Sequence, residues 1–161
     1  MTRLIAIALI LCACTPSVPP DWPLPQWEIH GAPVVYEARA IPGSPVAVRL
    51  VGGLCVVEWD PEQWDDLSPA QRVLAVAHEV EHCRLAEAGY GDAERWALEY
   101  AADCGAIEWM ITADYLPATW EMALVEWMLS WSSSPGHPAG ADRAAAILEC
   151  AARVRAHRRE P

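Results

Sequence analysis

The alternation of apolar and polar positions divides the chain into three regimes. Residues 4–11 form an unbroken apolar run behind the lone charge of Arg3. That run is too short for a transmembrane helix and suits the apolar segment of a signal peptide. From Thr15 to Pro33 the pattern disappears under six prolines, which predicts an extended tether rather than helix or sheet. Trp22 and Trp27 lie within it and are the residues that could dock onto a folded domain. Beyond the tether come β-rich runs at 34–36, 46–51 and 54–59, separated by Pro42-Gly43-Ser44-Pro45 and Gly52-Gly53. The second and third read as a hairpin across the Gly-Gly turn, with the first as an added strand.

The period then lengthens to that of a helix. Ser68-Pro69-Ala70-Gln71 is a helix start, with Ser68 as N-cap, Pro69 in the first helical position and Gln71 closing a capping box. This helix runs through His82 and stops by Gly89-Tyr90-Gly91, its stripe of Val73, Val76, Val80 and Cys83 opposite His78 and His82. A second helix, capped by Asp92, extends to about Thr112 and aligns Trp96, Glu99, Asp103, Ala106 and Met110. A third, rich in Trp and Met, covers about 118–131, a loop covers 132–138, and a last helix begins near Asp142 and ends in an Arg cluster. The expected fold is α+β, a small antiparallel sheet followed by about four helices, filling 34–161.

Composition sharpens the address. The formal charge is −11 and no basic stripe is present, which sets nucleic-acid binding aside. Leu11-Cys12-Ala13-Cys14 resembles a bacterial lipobox, so residues 1–13 are expected to be removed and Cys14 to be lipidated. Residues 14–33 would then hold the domain away from a bacterial membrane, the outer one in a Gram-negative host. Four further cysteines, Cys55, Cys83, Cys104 and Cys150, suit two disulfides in an exported domain, with three possible pairings. Chain order favours Cys55 with Cys83 and Cys104 with Cys150. None has the tight spacing of a Cys-based zinc site.

The chemistry centres on His78-Glu79-Val80-Glu81-His82, an H-E-x-x-H run. Histidines four apart on a helix lie one turn above each other and can grip one metal ion, with the intervening Glu79 placed to act as general base. A catalytic zinc needs a third protein ligand and an open position. Glu87, Asp92, Glu94, Glu99, Asp103 and Glu108 follow. Glu99 is preferred because Asp103, one turn along the same face, can orient a ligand histidine. Tyr100 and Tyr115 are additional hydrogen-bond candidates.

These residues resemble a family. His78 to His82 followed by Glu99-Tyr100-Ala101-Ala102-Asp103 is similar to the gluzincin pattern H-E-x-x-H … E-x-x-x-D, and its Ala-Asp ending resembles the HtpX and CAAX prenyl protease family. His137-Pro138 and Arg143 resemble the family's C-terminal H-P-x-x-x-x-R. The resemblance implies a zincin-like fold and one Zn²⁺ held by His78, His82 and Glu99, with protein or peptide substrates. It implies that Glu79 is the base, that His137 lies over the metal to stabilise a transition state or plug the site, and that Asp103 and Arg143 support the ligands. By the same analogy, the strand just before the metal helix would be an exposed edge that receives substrate. The chain departs from the family at Glu81, where a small residue is usual, and in lacking transmembrane helices. Two other readings stand beside it: a minigluzincin of the repressor-cleaving type, and a non-catalytic lipoprotein that binds through its Trp-rich third helix.

Overall fold

The structure, a computed structural model, describes residues 27–29, 31–89, 95–133 and 137–158. Residues 1–26, with the expected signal peptide and Cys14, lie outside that range. The elements run β1 (Glu28–Ile29), β2 (Ala32–Pro33), β3 (Val35–Ala38), β4 (Val46–Val51), β5 (Leu54–Trp59), α1 (Pro61–Trp64), α2 (Pro69–Glu87), α3 (Arg95–Thr112), α4 (Ala118–Leu129) and α5 (Gly140–His157). The α+β class is as expected, with a short fifth helix, α1, added in front of the other four.

The hairpin across Gly52-Gly53 forms as β4 and β5, with Val51 opposite Leu54 and Val46 opposite Trp59. Both glycines have positive φ, as a tight two-residue hairpin turn requires. β3 joins the far side of β5 in parallel, so the three-stranded sheet is mixed and ordered β3-β5-β4. This order corrects the expectation that β5 is an exposed edge. Residues 55–59 of β5 are all buried, and the free edges belong to β3 and β4. Its run of apolar residues already had the character of a central strand covered on both faces.

The tether ends earlier than expected. β1 and β2 pair antiparallel, Glu28 opposite Pro33 and Ile29 opposite Ala32, and Trp27 is buried with its ring 4.2 Å from that of Trp109. The Arg84 guanidinium lies 5.4 Å from the Trp27 ring centroid. An aromatic ring able to bury this much apolar area outweighs the extended bias of the flanking prolines.

α2 begins as its sequence dictates. The Ser68 amide donates to Gln71 Oε1 at 2.7 Å, and the Gln71 amide donates back to Ser68 Oγ. Val73, Val76, Val80 and Cys83 are essentially inaccessible and pack into one core with Val57, Ile107, Met110, Leu124, Met128 and Ile147. α2 therefore lies between the sheet on one side and α3 on the other, with its histidines turned out of that core. Two disulfides, Cys55–Cys83 and Cys104–Cys150, tie β5 to α2 and α3 to α5. Among the described residues no helix is long and apolar enough to cross a membrane.

Candidate metal centre

One helical turn brings the Nε2 atoms of His78 and His82 to 3.0 Å from each other. α3 crosses α2 so that Glu99 meets them. Its Oε2 lies 3.5 Å from His78 Nε2, and its Oε1 lies 3.4 Å from His82 Nε2. Tetrahedral ligands about 2.0–2.1 Å from a single zinc stand about 3.3 Å apart, so two imidazole nitrogens with one oxygen of the Glu99 carboxylate facing each are close enough to share one ion. Glu99 Oε2 is buried and has no hydrogen-bond partner, a cost that a cation would remove. Among the described residues His78, His82 and Glu99 are the group able to hold a metal ion, and the donor set fits zinc.

Asp103 lies behind the ligands, fully buried, with Oδ1 2.9 Å from His78 Nδ1. This contact places the His78 proton on Nδ1 and leaves Nε2 as the electron-pair donor. Arg143 from α5 grips the same carboxylate twice, Nη2 to Oδ1 at 2.6 Å and Nε to Oδ2 at 2.8 Å. Its guanidinium also lies 5.1 Å from the Trp131 ring centroid. The loop before α5 depends on Gly140, whose amide donates to Trp131 O, and where a Cβ would fall 1.8 Å from Met128 O. His137, on that loop, is half-exposed with Nε2 3.6 Å from Glu99 Oε2.

The electrostatics describe a site that demands positive charge. Burial alone would raise the Glu99 carboxyl, but the neighbouring His78 and His82 hold it well below the usual carboxylate range. Burial works against a proton on His78, yet the Asp103 carboxylate at its Nδ1 and the Glu99 carboxylate facing its Nε2 outweigh it and lift the imidazole to about 10. A divalent cation can supply that charge in place of protons. Burial pushes the Glu79 carboxyl up, against the pull of His78 and His82, which favours a base able to take and return a proton.

Beside the ligands opens a cavity of about 560 Å³. His78 and Glu79 lie on its α2 side, residues 43–46 form one wall, and Trp127, Met128, Trp131 and His137 the other. The first wall is built by Asp60, which accepts from the amides of Ile41 and Glu62, and by Gln63, which donates to the carbonyls of Ile41 and Ser44. Neither residue stood out in the sequence, although Asp60-Pro61 carries the same cap-then-proline signal as Ser68-Pro69.

Several candidates fall elsewhere. Tyr100 and Tyr115 do not line the cavity, and Tyr115 stacks on Trp109 at 5.0 Å. Glu87 and Glu108 are exposed away from the ligands, Trp96 is also exposed despite sharing the Glu99 face, and Asp92 and Glu94 lie outside the described residues. Glu81 leaves the cleft free: it is buried against α3 at Gly105, where an added Cβ would meet its Oε2 at 2.7 Å, and it pairs with Arg84 at 2.6 Å. No protein-family model, curated protein or solved structure matches the chain.

Proposed function

We propose that the chain is a zinc-dependent endopeptidase, exported and anchored as a bacterial lipoprotein. The observation that carries this reading is the convergence of His78, His82 and the unsatisfied Glu99 Oε2 at metal-ligand separations, with Glu79 beside them in an open cavity. A zinc ion supplies Lewis acidity and an acidified water. Glu79 takes the proton of the attacking water on its carboxylate and delivers it to the leaving amine. His137, at the cavity rim, donates a hydrogen bond to the oxygen that gains charge. Asp103 and Arg143 fix the tautomer and tilt of His78 and touch no substrate. Pairing of all four cysteines of the folded domain supports export, because such bonds persist in oxidising compartments. It disfavours a cytoplasmic repressor-cleaving peptidase.

The test is zinc stoichiometry together with the activity of Glu79→Gln. Gln is nearly isosteric and is not a ligand here, so the variant should bind about one zinc. Peptide cleavage should fall by at least ~10²-fold. His78→Ala and Glu99→Ala should instead lose the metal. Wild-type protein purified without chelator yet free of zinc would refute the enzyme reading.

A further inference from the structure

The β4–β5 hairpin ends in an apolar tip. Leu50, Val51 and Leu54 are 47%, 44% and 41% exposed and stand together at one end of the ribbon. The strand alternation fails there: Leu50 and Val51, on opposite faces of β4, are both open. A Cβ built on Gly52 or Gly53 meets nothing within 4 Å, so the turn stands clear of the rest of the fold. Residues 50–57 carry no charge, and the Arg49 guanidinium is turned back onto Glu37 and Glu58. The base of the tip is firm, since Cys55 is bonded to Cys83 of α2.

Position in the sheet says what this tip faces. The chain enters the fold at Trp27, whose carbonyl accepts from the Val34 amide at 2.9 Å. Val35 pairs with Val56, two residues beyond Leu54. Trp27, where the described chain begins, therefore lies at the same end of the sheet as the tip. The cavity wall at residues 43–46 lies at the opposite end of β4, about 17 Å away for a six-residue strand.

We propose that Leu50, Val51 and Leu54 insert into the interfacial region of a lipid bilayer beside the N-terminal segment. This would orient the domain so that the cavity is held off the membrane. Insertion is driven by apolar area rather than by charge, which suits a strongly acidic chain and a zwitterionic lipid surface. The proposal rests on the lipoprotein reading only for how the chain reaches the membrane.

The test reconstitutes the full-length anchored chain into phosphatidylcholine vesicles doped with a phosphatidylcholine that carries a photoactivatable group on an acyl chain. Lipid adducts are mapped by mass spectrometry. Adducts are expected on residues 50–54 as well as on the N-terminal segment, and none on 43–46 or 127–132. Leu50→Ser combined with Leu54→Ser should cut the tip adducts by about 10-fold or more while N-terminal adducts persist. Tip adducts without N-terminal adducts would support the tip and refute the anchor. Adducts confined to the N-terminal segment, or chain-to-chain adducts at the tip that mark a second copy as its occupant, would overturn the proposal.

Discussion

Asp103→Asn tests whether the charges behind the ligands build the metal centre. Asp103 is fully buried and receives three donors within 2.9 Å: Arg143 Nη2, Arg143 Nε and His78 Nδ1. Asparagine fills the same volume but offers one acceptor oxygen and turns an NH₂ group toward donors. Arg143, itself buried, loses its bidentate partner and keeps only the Glu99 carboxylate, 3.9 Å from its Nη1, so the cost lies toward the lower end of the about 3–5 kcal/mol seen when a buried pair is broken. One retained hydrogen bond returns about 1 kcal/mol. The net cost of about 2–4 kcal/mol is a large part of a typical stability of about 5–15 kcal/mol. His78 also loses the partner that fixes its Nδ1 proton, which should weaken zinc binding by about 10–100-fold.

Two assays separate these effects. Urea unfolding of metal-free protein with its disulfides intact reads the loss of the Asp103 contacts to Arg143 and His78 together, and competition with a chromophoric chelator reads zinc affinity. Glu79→Gln is the control, expected to match wild type in zinc affinity. Metal-free measurement matters because bound zinc would itself stabilise the native state and mask the loss. An Asp103→Asn variant that binds zinc within about twofold of wild type would refute the orienting role. An unchanged urea midpoint would refute the structural cost.

Other expectations follow from the same contacts. Gly105→Ala should destabilise by about 1–3 kcal/mol because its Cβ meets Glu81, yet in a Glu81→Ala background it should stabilise by about 0.5–1 kcal/mol as an ordinary helix substitution. A thermal-melt cycle without this sign reversal would show that the two residues do not compete for space. Replacing both Cys104 and Cys150 by Ser opens a separation of 46 residues and should cost about 4 kcal/mol on the chain-entropy account, read by denaturant titration. His137→Ala should keep zinc and lose turnover by about 10-fold or more. A gain in turnover would identify His137 as a plug.

What the sequence reveals depends on whether the determining contact is local. Ser68, Pro69 and Gln71 satisfy one another within a single turn, so the start of α2 is legible, as is the His78–His82 spacing. Glu99 is legible through Asp103 because both lie on one face of one helix. Strand order was legible only as far as the apolar run of β5 marks a covered strand. β5 is central only because β3 returns to it in parallel across the β4 connection, and no local signal encodes that pairing. Trp27 was legible as a residue that could dock, but not where it docks, its partner Trp109 lying 82 positions on in the numbering.

Glu81 shows how the two kinds of information combine. From the sequence it is an obstruction, a carboxylate in the metal run where room is needed. In the fold it points at α3, and the residue it meets is Gly105, the single residue type without a Cβ to exclude it. Helices approach closely where one of them is missing a side chain, so Glu81 and Gly105 act together in setting the distance between α2 and α3. That distance decides whether Glu99 on α3 can reach His78 and His82 on α2. The disulfides hold the same frame, since Cys83 follows His82 directly and Cys104 follows Asp103. Both cross-links thus fix backbone immediately beside site residues, where a small displacement would cost metal affinity before it cost the fold.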